Sequence, residues 1–318
     1  MRKNKRGALE FSFTWIFAII VGGFILFLAI YGVSKVMSIQ KTSSDTESAV
    51  SLGVLTNPLE SSFETSKRTT IKTPVESRIY TGCSDRSYFG KQIIKISQKT
   101  YGEWSTEGAE VSFSNKYIFS ENPAQGKKFY LFSKSFDFPF KVADLIYLTS
   151  SEDKYCFVNF PRNIEKEIEE LTGGENSETE NLFAERNAED CPAESKKVCY
   201  NGGRNCYAEV YENYVKKGGK IMDYAGDSLM YAAIFSNPAD YECQLKRLMK
   251  RTGELSRIYI EKSNFVFLRT GCSSNLNVDL AVLRGFTENF EGSENIELIY
   301  NFAEDLSMKN KGAECRLW

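Results

Sequence analysis

The residues with the clearest chemistry are eight cysteines: Cys83, Cys156, Cys191, Cys199, Cys206, Cys243, Cys272 and Cys315. A thiol can act as a nucleophile, a metal ligand or half of a disulfide, and spacing separates these roles. No C-x-x-C occurs, so the close ligand pairs of zinc ribbons and the thioredoxin-like redox motif are both missing. The even count favours up to four disulfides, for which eight cysteines allow about 105 connectivities. One pair has a local argument. Val198 to Tyr207 reads as a hairpin, and a two-residue turn at Gly202-Gly203 would set Cys199 opposite Cys206 within bonding reach. A turn centred on Asn201-Gly202 would shift the register and deprive Cys206 of that partner. Both registers fit the sequence.

The chain contains no histidine, which removes imidazole bases, Ser-His-Asp triads and histidine metal ligands. Carboxylates are plentiful but stand in no recognisable catalytic context. Ser38-x-x-Lys41 and Ser151-x-x-Lys154 match a very common four-residue pattern, and the second lacks the companion motifs of β-lactamase-type enzymes. Nucleophile-elbow, phosphate-loop and dinucleotide-binding motifs are absent, as are Asn-x-Ser/Thr glycosylation acceptors. We therefore expect no enzymatic activity, no catalytic residue, no cofactor and no metal. A net charge of −2 argues against nucleic acid as a partner.

The elements that carry these cysteines begin beyond an apolar segment. Phe11 to Val33 is a run of 23 residues without a charge. As a helix it would span about 34 Å, enough to cross a hydrocarbon core of about 30 Å. Arg2, Lys3, Lys5 and Arg6 precede it, against Glu10 alone, so the N-terminus is expected in the cytoplasm and the rest outside. Trp15 and Tyr31 suit the two interfaces, and Ala18 with Gly22 form a small-xxx-small pair that would let a second helix approach. All eight cysteines then fall in a compartment where disulfides persist.

Lys5-Arg6-Gly7-Ala8-Leu9-Glu10, running straight into the apolar helix, resembles the class III signal of archaeal type IV pilin-like proteins. That resemblance implies cleavage between Gly7 and Ala8, with the apolar helix kept on the mature chain and Glu10 as its third residue. An uncleaved signal-anchor is the alternative. More loosely, the chain resembles single-pass envelope proteins of small-genome archaea, which brings no assigned activity.

The expected fold class is α+β: one transmembrane helix followed by a disulfide-stabilised mixed domain. Residues 1–10 form a basic leader, 11–33 the span, 34–72 a Ser/Thr-rich stalk or short amphipathic helices with Pro58 as a breaker, and 73–318 the extracytoplasmic domain. Strand-like runs occur at Gln92–Ser97, Glu110–Phe119, Lys128–Phe132, Leu145–Thr149 and Lys154–Phe160. Ile164 to Leu171 reads as an acidic helix, followed by an acidic loop over 172–190. Between Glu165 and Asp190 there are ten acids and two bases, which reads as a solvated segment and does not match a calcium-binding loop. Asp227 is expected to cap a short buried helix ending at Phe235. Asn237 should cap a second, with Pro238 in its first turn, running to about Lys262. Leu245, Leu248, Met249, Leu255, Ile258 and Tyr259 form the apolar stripe of that helix, and Lys246, Arg247, Lys250 and Arg251 a solvated basic face. From Phe265 on, strand-like and helical runs mix. Thr81-Gly82-Cys83-Ser84 is echoed by Thr270-Gly271-Cys272-Ser273, with no alignment around either copy.

Together these features point to a membrane-anchored envelope protein with a structural or binding role. Its expected partners are the membrane and other envelope or filament components. A pilin-like filament subunit and a membrane-tethered enzyme without histidine are the alternatives.

Overall fold

In a computed structural model, residues 13–55, 67–172 and 181–318 are described. Helix α1 (Phe13–Leu55) runs unbroken for 43 residues, about 65 Å. Its stretch Trp15–Lys35 is long and apolar enough to cross a membrane, and none of it is buried in the protein. Further on, Ala49 and Leu52 are buried against the first sheet. Their three-residue spacing puts them on one helix face. The stalk expected over 34–72 is therefore corrected at both ends. The helix continues through the Ser/Thr-rich stretch to a docking face, and the first strand already begins at Lys67.

The first sheet holds β1 (Lys67–Ser84), β2 (Lys91–Thr100), β3 (Glu103–Trp104), β4 (Val111–Phe113), β5 (Ile118–Ser120), β6 (Ala124–Asp137) and β7 (Lys141–Ser150). Its order is β3-β2-β1-β6-β7-β5, with β4 also pairing β2. β1 shifts register against β6 between Lys72 and Ser77, where Pro74 offers no amide to the ladder. The expected run Glu110–Phe119 is split into β4 and β5. Alternation assigns the faces of the sheet: Ile146 and Leu148 of β7 face the α1 side with Phe129 and Leu131, while Leu145 and Tyr147 face a larger core.

That larger core is shared with a second sheet of β8 (Tyr155–Val158), β9 (Leu182–Glu185), β10 (Lys196–Tyr200), β11 (Ala208–Val210), β12 (Tyr214–Lys217) and β13 (Lys220–Asp223). Its order is β13-β12-β11-β10-β8-β9. Helix α2 (Arg162–Thr172) connects β8 towards β9. The acidic loop expected over 172–190 is thus partly a strand. Leu182 is buried, β9 pairs in parallel with β8, and the buried Asn181 amide donates to Thr149, Ser150 and Asp153. Residues 173–180 lie outside the described residues.

Helix α3 (Gly226–Phe235) fills the space between the sheets, buried from Ser228 to Phe235. A helix apolar all round belongs in such a place. Phe132 and Tyr147 of the first sheet and Tyr155 and Phe157 of the second pack around Phe235. The Tyr147 hydroxyl donates to the Ser228 carbonyl at 2.6 Å. Asp227 is not the cap of this helix. Gly226 opens it at φ +74°, and Ala225 at the cap position makes no side-chain bond.

Helix α4 (Pro238–Thr270) starts as read: the Asn237 side chain accepts from the Asp240 amide at 2.9 Å, with Pro238 in the first turn. It runs past Lys262 and stops at Gly271, which takes the left-handed C-cap at φ +73°. Leu245, Leu248 and Met249 of its stripe are buried, whereas Ile258 is exposed. No strand follows. Helices α5 (Asn277–Glu288) and α6 (Ile296–Gly312) complete the chain, so the mixed tail expected after Phe265 is helical.

Candidate functional site

The cysteines form four pairs: Cys83–Cys243, Cys156–Cys191, Cys199–Cys206 and Cys272–Cys315, with Cα–Cα distances of 5.8–6.0 Å. These fit disulfide geometry, and no described cysteine is free. The first bond ties β1 to α4, and the second ties β8 to the segment after β9. The fourth ties the turn after α4 to the C-terminal end. Such bonds suit an oxidising, extracytoplasmic setting.

The Cys199–Cys206 bond does not sit in a hairpin, which corrects the local reading. β10 and β11 are parallel, with Val198 opposite Ala208 and Tyr200 opposite Val210. All four of these side chains join the same core. Asn201, Gly202 and Asn205 take positive φ and wind the short connection round. Gly203 is required at the bond, because a Cβ there would lie 2.8 Å from the Cys206 sulfur and 3.2 Å from that of Cys199.

Two of the buried cations bridge the layers. Arg247, expected on a solvated basic face, is fully buried. Its guanidinium donates to the carbonyls of Lys116 at 2.9 Å, Ser114 at 3.0 Å and Phe89 at 3.1 Å, and to Gln244 Oε1. Gln244 in turn donates to Gln92 Oε1 at 2.6 Å, which also accepts from the Ile118 amide. Burial brings the Arg247 pKa down to about 10, opposed by the Tyr117 ring 4.6 Å away. Gly90 makes room for it: at φ +62°, a Cβ there would fall 2.4 Å from the Ser84 carbonyl and 2.7 Å from Arg247 Cγ.

Lys217 is the second. Its ammonium donates to the carbonyls of Ser236 at 2.7 Å and Ile234 at 2.9 Å, at the C-terminal end of α3, and to Glu121. A cation is favoured at that end of a helix. Tyr207 also donates to Glu121, and its ring lies 4.8 Å from Lys217. Burial lowers the Lys217 pKa and raises that of Tyr207. All three ammonium protons have acceptors, so this lysine braces the two sheets and is poorly placed to act as a nucleophile.

On the surface, two adjoining recesses of about 380 and 500 Å³ open between the β1–β2 turn and helices α4 and α5. Arg86, Lys246 and Lys250 face Asp85, Glu254, Glu288 and Glu291 there. Lys250 donates to the Asp85 carbonyl at 2.5 Å, and Arg284 pairs with Glu288 at 2.7 Å. The hydrogen bond from Tyr88 holds the Glu254 carboxyl below its usual pKa. Charges of both signs compensate one another in this place. Among the described residues, no group of three or more Cys, Asp or Glu is placed to hold a metal ion.

The suggested processing residues Gly7 and Ala8 lie outside the described residues. Comparison of the chain with protein-family models, with curated proteins and with solved structures yields no match.

Proposed function

We propose that this chain is a single-pass membrane-anchored envelope protein whose disulfide-bonded domain stands outside the cytoplasm and serves a structural or binding role. The observation that carries this reading is the split in α1. Trp15–Lys35 is apolar with no protein cover, while Ala49 and Leu52 on the same helix are packed into the domain. An uncovered apolar surface of this size needs a non-aqueous medium. The basic residues before the span support a cytoplasmic N-terminus, and the four disulfides support an exported domain. Alkylation of the native protein without reductant tests the exported state. Labelling should reach none of the eight cysteines; labelling of most of them would refute it.

A processed pilin-like subunit is the second reading. Its support is the continuity of α1, because exposed apolar halves packed side by side would form a filament core with the domains outside. Mass spectrometry separates the two. The mature chain begins at Ala8 in the filament reading, and at Met1 or Arg2 in the anchor reading.

A further inference from the structure

We propose that the open edge of β1 takes up an extended segment of another exported polypeptide as an added strand, in a groove walled on its other side by α1. This inference deepens the binding role proposed above and rests on that reading for the location of the partner. β1 pairs with β6 from Lys67 to Lys72, but with β2 only from Ser77 to Ser84. β2 ends at Thr100, where Tyr101 and Gly102 take positive φ and turn the chain back into β3. Along Thr69–Lys72 the side of β1 away from β6 therefore meets no strand among the described residues. Alternate residues of an antiparallel strand direct amide and carbonyl away from their partner. Among the described residues, no backbone hydrogen bond reaches these groups on β1. Ile71 to Pro74 border a groove of about 370 Å³, with Ile79 and Ile96 on the sheet side and Ser51 and Leu52 on the α1 side.

The open strand edge selects a polypeptide as the occupant. The isoleucines accept any apolar chain, but the β1 amides and carbonyls are met only by a ligand with a backbone of its own. An acyl chain leaves them unpaired. Leu52 also stands about 25 Å along α1 from Lys35, beyond the apolar span. The charges select the sequence of the segment. Ile71 pairs with Phe129 on the α1 face of the sheet, whereas Lys72 pairs with Lys128 on the opposite face. Side chains of an added strand alternate in the same way. Those on the α1 face enter the groove, where Glu47 disfavours acids and the isoleucines favour apolar residues. Those on the opposite face lie alongside Lys72 and Lys128 and suit acids. The occupant is thus a segment in which apolar and acidic residues alternate. A second copy of β1 does not fit that pattern. Antiparallel self-pairing centred on Thr70 or on Lys72 sets Lys72 against Arg68 or against its own copy, and Pro74 offers no amide to extend the ladder.

The test uses the full chain in nanodiscs and a fluorescein-labelled peptide of alternating Glu and Val, read by anisotropy. Saturable binding is expected, with none for the same residues in scrambled order or for a Lys/Val alternation. Absence of saturable binding, or equal binding of the scrambled peptide, overturns the proposal. Methylating the backbone nitrogens of either the valines or the glutamates separates strand addition from simple adhesion, because only one of the two sets faces β1. One methylated peptide should lose binding and the other retain it; equal binding or equal loss contradicts an added strand. Ser51→Trp, at an exposed position on the groove wall, should keep the thermal midpoint of the parent and abolish binding. Lys72→Glu should also keep the midpoint and weaken the peptide about fivefold. Unchanged affinity in either variant would place the peptide elsewhere and sink the proposal. So would a concentration-dependent dimer that Ser51→Trp abolishes, because a second copy would then hold the edge. Failure of the exported reading shows instead as alkylation of the cysteines and leaves these binding results unchanged.

Discussion

Replacing Cys83 and Cys243 together by alanine should destabilise the domain more than removing any other bridge. The two cysteines are 160 positions apart. Two shorter bridges, of separation 35 and 7, lie inside that loop and shorten its free length. An effective loop on the order of a hundred residues remains, for which the chain-entropy relation gives about 4.7 kcal/mol. The same relation gives about 4 kcal/mol for Cys272–Cys315, with a separation of 43, and about 2.3 kcal/mol for Cys199–Cys206. Cys83 and Cys243 are only half-buried, so cavity costs add little. Urea unfolding of the detergent-solubilised chain, followed by intrinsic fluorescence, measures the effect. With a slope of about 3 kcal/mol/M, the Cys83/Cys243 variant should lose roughly 1.5 M in midpoint. A smaller loss than that of the Cys199/Cys206 variant would refute the reasoning, because the bond would then not govern the freedom of the unfolded chain.

Three further outcomes follow from the buried polar groups. Arg247→Ala should cost about 3–5 kcal/mol in the same assay, since it strands the carbonyls of Lys116, Ser114 and Phe89 and opens a void. Asn237→Ala should cost about 1 kcal/mol through loss of the α4 cap, read as a lower thermal midpoint. Asp144 has its carboxyl pKa raised by burial, with Lys141 at 2.9 Å opposing the shift. The folded state therefore holds that proton more tightly than the unfolded chain. Its contribution is full below the unfolded pKa near 3.8 and falls away as pH rises through the higher folded pKa. Asp144→Asn should raise stability at neutral pH relative to the parent and remove this loss, as thermal midpoints across the acid range would record.

What the sequence made legible was local. The apolar span, the acidic helix, the centres of β2, β6 and β7 and the Asn237-Pro238 helix start each depend on neighbouring residues. What it left hidden depends on distant ones. Cys83 meets Cys243 only because α4 lies against β1. Arg247 looks like part of a basic face on a helical wheel, yet the β1–β2 turn and the segment between β4 and β5 fold over it and supply carbonyls. The Gly202-Gly203 stretch suggested a hairpin because turn residues normally reverse a strand. Here positive φ at Asn201, Gly202 and Asn205 returns the chain in the same direction. β9 was obscured by the acids around Leu182 and Phe183. The apolar run Phe265–Leu268 was visible, but with no polar face it resembled a strand more than the end of a helix.

Protease added to intact, right-side-out cells tests the central claim most directly. The account predicts digestion of the chain beyond Lys35, leaving a short membrane-protected fragment that contains Trp15–Lys35. A full-length chain that resists protease until the membrane is opened would contradict it, because the disulfide-bonded domain would then face the cytoplasm.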